Sequence, residues 1–132
     1  MNLSTFTLIA SAVLVLPVYA IAADKLPNCE SPEVGADLIA CAAARHEKAD
    51  AELNATYRQL RDAMRKRGEH EAAVRLQHAQ RDWLKFQQSH CELESTYEGA
   101  GGSFISSKLG DCMAITTADR AKYLQELLLY FK

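Results

Sequence analysis

The chain is expected to be all-α, a small bundle of three main helices with a disulfide-stapled, glycine-rich loop. Three observations predict this. Beyond residue 36, apolar residues recur mostly at steps of three and four, the spacing that lines one side of a helix. No segment alternates apolar and polar residues convincingly, as a half-buried strand would. Four cysteines follow an apolar leader, the pattern of an exported chain held by two bridges.

The leader comes first. Phe6 to Val18 is almost purely apolar and runs into Tyr19-Ala20-Ile21-Ala22-Ala23-Asp24. Ala20 and Ala22 fit the small-residue positions of a signal-peptidase site, so residues 1–22 read as a cleaved signal peptide and 23–132 as one domain. Ser11 and Pro17 interrupt the apolar run, which is short for a membrane span, so no stable membrane insertion is expected after cleavage. The terminal amine is the sole positive charge of the leader's start. The first cysteine is Cys29, too far from the cleavage point for a lipid anchor. A periplasmic or secreted location follows.

The first helix is predicted from Ala36 to Arg67. Ala49, Leu53, Tyr57, Leu60 and Met64 line one face, and the basic residues 58–67 fall outside it or in the last turn, where they complement the helix dipole. Gly68 is a natural terminator. A second helix is predicted from Glu69 to Ser95, with Leu76, Ala79, Trp83 and Phe86 inward. Tyr97 to Gly110, with four glycines and three serines, reads as an irregular loop. Thr116 and Asp119 have the form of a capping pair, opening a last helix that carries Ala121, Leu124, Leu127, Leu128 and Phe131.

Cys29, Cys41, Cys91 and Cys112 allow three pairings, of which 29–41 with 91–112 is favoured. A helix would hold residues 12 apart at about 18 Å along its axis, whereas a disulfide needs Cα atoms ~5.5 Å apart. The chain must therefore turn back between Cys29 and Cys41, and Pro32 and Gly35 lie where it would do so.

Composition excludes several functions. With 15 basic and 17 acidic residues the net charge is −2, the opposite of the positive field a nucleic-acid partner requires. His46, His70, His78 and His90 form no His-x-x-x-His pair, and there is no Cys-x-x-Cys. His90 adjoins Cys91, but that cysteine is assigned to a disulfide, so no metal or cofactor is expected. Asp50, Glu52, Glu69, Glu71 and Asp82 sit among Lys and Arg at helical spacings, as solvated ion pairs do. Ser103 after Gly101-Gly102 is a weak match to a nucleophile on a sharp turn. No catalytic residue is assigned, and the chain is read as a non-enzyme. Arg81, beside the apolar stripe, is expected to pair with Asp50 or Glu52. The loop is the expected partner-binding segment, through Tyr97, Gly101, Gly102, Ser103 and Phe104, because glycines let backbone approach a partner and aromatics favour interfaces.

Two stretches carry a family resemblance. Asp50-x-x-Leu53-Asn54-x-x-Tyr57 resembles the D-x-x-L-N-x-x-Y opening of the N-terminal domain of the LprI-type lysozyme inhibitor family. Leu76-x-x-Ala79-Gln80-Arg81-x-Trp83-Leu84 resembles that family's L-x-x-A-Q-R-x-W helix. Cys91, Gly101-Gly102-Ser103, Cys112 and Thr117-x-x-Arg120 follow in the family's order, over about residues 29–128. One position departs: an Arg common after W-L-x-x is Gln87 here. The resemblance implies an exported helical domain that inhibits lysozyme. The first hypothesis is a periplasmic protein that inhibits c-type lysozyme by inserting the 97–104 loop into or near the enzyme's carboxylate-lined substrate cleft. Gln80, Arg81, Trp83 and Arg120 are then structural. The alternative is a stapled periplasmic module that binds another envelope component without inhibiting lysozyme. Oligomeric state is not legible.

Overall fold

The computed structural model describes residues 27, 29–32, 35–96 and 101–132. The expected signal peptide, Tyr97 and the 97–100 half of the loop lie outside the described residues. Three helices form an up-down-up bundle: α1 (Gly35–Lys66), α2 (His70–Thr96) and α3 (Ser103–Leu129). No helix among the described residues is long and apolar enough to cross a membrane.

The α1–α2 turn forms as its glycine requires. Gly68 adopts φ 78°, which L-residues with a side chain avoid. Its N–H reaches Arg65 O at 3.0 Å, and the Glu69 N–H reaches Met64 O at 2.9 Å. That pair of bonds closes α1 on its own free carbonyls in a Schellman motif. Arg67 ties the turn to the end of α3, donating from Nη1 to Tyr130 O at 2.7 Å with its guanidinium over the Phe131 ring.

The last helix differs from the expectation. Ser103 to Gly110 is helical rather than irregular, and α3 runs unbroken through Thr116 and Thr117. Neither threonine caps anything. Thr116 Oγ1 donates to Cys112 O at 2.8 Å, one turn back, and Thr117 is buried. Gly101 and Gly102 are the breakers, and Gly102 takes φ 62° immediately before the helix. Gly110 is tolerated mid-helix because of what it faces. A Cβ there would lie 2.8 Å from the Cβ of Ala42, so its hydrogen lets α1 and α3 approach closely. Ser107 satisfies its hydroxyl locally, on Phe104 O.

Contacts between Ala42 and Gly110, Arg45 and Asp111, and Arg67 and Tyr130 show α1 and α3 running parallel, with α2 antiparallel to both. The apolar core fills one half of the bundle. Leu53, Leu60 and Met64 of α1 meet Ala73 and Leu76 of α2 and Ala121, Leu124 and Leu128 of α3. Tyr57, Trp83, Leu127 and Phe131 pack against it, much as the helical spacing predicts.

The other half is held differently. Both favoured disulfides are present, Cys29–Cys41 and Cys91–Cys112, each with Cα atoms 5.5 Å apart. Gly35 is the first residue of α1 rather than part of the reversal, and a Cβ on it would lie 2.8 Å from Ser103 Cβ. The α2 stripe also turns. Ala79 is exposed and Phe86 is 60 % exposed, while Gln87, Cys91 and Ser95 are buried. The cause is angular: at 100° per residue, the disulfide that turns Cys91 toward α3 leaves Phe86 about 140° away and Gln87 within about 40°.

Candidate functional site

Two places gather the residues singled out by sequence. The first is the turn before α3. Gly101 and Gly102 are exposed, and Ser103 opens the helix against Gly35. Phe104 sits in the first helical turn, 42 % exposed, with Lys108 Nζ 5.0 Å from its ring centroid. Ser103 and Phe104 therefore stand on a helix rather than in a loop, while Gly101 and Gly102 form the exposed bend that leads into it. The Ser103–Gly35 contact seats this end of α3 against the start of α1, which the Cys29–Cys41 bridge in turn ties to the segment before it. The exposed aromatic is thus carried on a braced element, which lowers the ordering cost of meeting a partner.

The second place is a shallow cleft of about 260 Å³ between α1 and α2. Asp50, Leu53, Asn54 and Tyr57 line one wall, and Gln80 and Arg81 line the other, joined by Gln77 and Leu84. Helical spacing explains the convergence, since residues 50, 53, 54 and 57 share one face of α1. Asn54 Nδ2 donates to Asp50 Oδ2 at 2.7 Å, which orients the amide along the wall. Leu53 is the buried floor, and Tyr57 is half-buried with the Arg61 guanidinium 5.6 Å from its ring centroid.

Behind the cleft the motif residues cross-link α2 to α3. Arg120 Nε donates to Gln80 Oε1 at 3.1 Å. Its guanidinium lies 5.8 Å from the Trp83 ring and 5.4 Å from that of Tyr123. Burial pulls Arg120 below arginine's ordinary pKa, with Tyr123 acting in the opposite sense. The planar cation is matched by aromatic faces and one amide oxygen, so its positional role is structural.

Arg81 does not do what the sequence suggested. It is exposed and makes no hydrogen bond or ion pair with Asp50 or Glu52 among the described residues. Asp50 takes Asn54 instead, four residues along its own helix, at no cost in bundle geometry. Arg81 is left facing the cleft opening.

Gln87 was legible only as a departure from a family pattern. It is 3 % exposed, and its Nε2 lies within bonding distance of Met113 O, Thr116 Oγ1 and Thr117 Oγ1, at 3.1, 3.0 and 2.6 Å. An amide nitrogen has two hydrogens, so the three acceptors share them. The group supplies α2 with a buried polar anchor on α3, next to the disulfide. Nothing in single-sequence periodicity marks a glutamine as inward, because polarity outweighs register in such a reading.

Comparison with known proteins identifies the family. The family model described as "Lysozyme inhibitor LprI" matches residues 28–124, which takes in both disulfides, the cleft and the turn before α3. An uncharacterized protein of Rhizobium meliloti (strain 1021) is 35 % identical over 111 residues, covering 77 % of this chain and 79 % of that protein. No solved structure matches the chain. A three-helix bundle with these two bridges and these motif residues, matched across nearly its whole length, belongs to the LprI lysozyme inhibitor family.

Proposed function

We propose that the chain is an exported, non-enzymatic inhibitor of c-type lysozyme. It presents Tyr97, Gly101, Gly102, Ser103 and Phe104 to the substrate cleft of the enzyme. The family match over residues 28–124 is the observation that carries this reading. The braced, exposed Phe104 beside two exposed glycines supports the choice of surface. A mild net charge of −2 favours encounter with a basic enzyme more than it strengthens the final complex. Export rests on the apolar leader and on the two bridges, which persist in oxidising compartments.

The test is residual lysozyme activity on cell walls with the purified protein in molar excess. Inhibition is expected, and undiminished activity overturns the proposal. The α1–α2 cleft favours a second reading, a module that binds another envelope component. Its walls carry exposed motif residues, Asp50, Asn54 and Arg81, that the packing of the bundle does not need. A periplasmic partner captured by the wild type, lost in Arg81→Ala and not displaced by lysozyme is the outcome that selects it.

A further inference from the structure

The face of α2 beside the Cys91–Cys112 bridge gathers metal-binding groups that neither the cleft nor the turn uses. His90 and Glu94 are one helical turn apart, with Nε2 and Oε2 separated by 3.4 Å. The same Glu94 oxygen lies 3.3 Å from Cys112 Sγ. A disulfide sulfur carries no proton, so this is a close approach and not a hydrogen bond. The donor atoms of His90, Glu94 and Cys112 all lie within 4.8 Å of one another. Phe86 stacks on the His90 ring at 5.3 Å between centroids, which restricts the imidazole to this side. Cys91, the other half of the bridge, is fully buried next to them.

We propose that reduction of the Cys91–Cys112 bridge converts this spot into a Zn²⁺ site, with two thiolates, the His90 imidazole and the Glu94 carboxylate as ligands. In the oxidised protein the sulfurs are neutral and bonded to each other, leaving one imidazole and one carboxylate, too few for a tetrahedral zinc site. A dithiol delivers two electrons and two protons. The S–S bond breaks, two S–H groups form, and the dithiol closes to its own disulfide. Zn²⁺ then displaces both thiol protons. Tetrahedral coordination with Zn–S near 2.3 Å puts the two sulfurs roughly 3.8 Å apart. The helices need little movement for that, because the Cα atoms are already 5.5 Å apart. The bridge and the metal are thus exclusive ways of joining α2 to α3 at one point, chosen by redox state.

The test titrates the purified protein with Zn²⁺ against a chromogenic chelator, oxidised and after treatment with a water-soluble phosphine that leaves no competing thiol. Co²⁺ serves as the spectroscopic probe. The reduced protein is expected to bind one equivalent, with thiolate-to-Co²⁺ charge-transfer absorption, and the oxidised protein none at the same concentration. His90→Ala and Glu94→Gln, both at exposed positions, weaken binding at least ~10-fold, the scale lost even for partners outside the ligand set. The paired Cys29→Ser, Cys41→Ser variant retains the site. Binding by the oxidised protein overturns the proposal. So does absence of the thiolate band, affinity unchanged in His90→Ala, or loss of the site with Cys29 and Cys41. These histidine and glutamate controls hold even where reduction loosens the fold, since an unfolded chain binding through sulfur alone is indifferent to them.

Discussion

The parallel α1–α3 seam makes a prediction that can be worked in numbers. A methyl at residue 110 would lie 2.8 Å from Ala42 Cβ, where ordinary carbon contacts sit at about 3.5–4.0 Å. Gly110→Ala therefore forces the helices apart by about 1 Å or strains them in place, a change costing ~1–3 kcal/mol in a packed interior. Alanine also gains ~1 kcal/mol of helix propensity over glycine. The single variant thus nets only ~0–2 kcal/mol and decides little. The decisive perturbation is the pair Gly110→Ala with Ala42→Gly, which swaps the small and large partners. In a double-mutant cycle the propensity terms cancel, leaving the steric term as a coupling of ~1–3 kcal/mol that favours the double variant over the sum of the singles. Urea unfolding of the four proteins measures it. Effects that add to within ~0.5 kcal/mol would show that residues 42 and 110 do not meet, and the parallel register would be wrong.

Other expectations follow from the same contacts. Gln87→Ala leaves the buried Thr117 hydroxyl without its donor and should cost ~1–3 kcal/mol in urea unfolding, whereas an unchanged midpoint would place Gln87 outside the bundle. Arg81→Ala and Arg81→Met should melt like the wild type to within ~0.5 kcal/mol, because no partner is lost; a larger drop would restore the expected pair with Asp50. Arg120→Lys should lower the melting temperature despite keeping the charge, since a lysine loses the flat stacking between Trp83 and Tyr123 and the Nε bond to Gln80. Removing the Cys91–Cys112 bridge with paired serines opens a loop of 21 residues and should cost ~3 kcal/mol by the chain-entropy model, read by calorimetry. Phe104→Ala should reduce lysozyme inhibition without shifting the melt, and full inhibition by that variant would move the contact surface elsewhere.

Much of the fold was legible because the first helix and the end of the last are regularly amphipathic. Leu53, Leu60, Met64, Leu124 and Leu128 lie inward as their spacing requires, and Gly68 ends α1 through its positive φ. The start of α3 was misread for a physical reason. Glycine and serine are counted as breakers, yet Gly110 is needed for close helix approach and Ser107 folds its hydroxyl onto the helix backbone. Among the described residues of this stretch, Gly101 and Gly102 are the ones that stand outside the helix. The candidate site was legible in its residue types and not in its grouping. Asp50, Asn54 and Tyr57 are more than 20 positions from Gln80 and Arg81, and only the hairpin makes them two walls of one cleft.

By itself the sequence determined the class, the cysteine pairing it favoured and the family, all of which depend on local spacing and on residues that keep their identity wherever the chain goes. The tertiary structure decided the facing of α2, where a bridge at Cys91 turned Gln87 in and Phe86 out against their polarity. It also decided that Arg81 faces a cleft while Arg120 lies between rings. Register between helices is set by long-range contacts. A helix's own period constrains which residues share a face, but not which neighbour that face will meet.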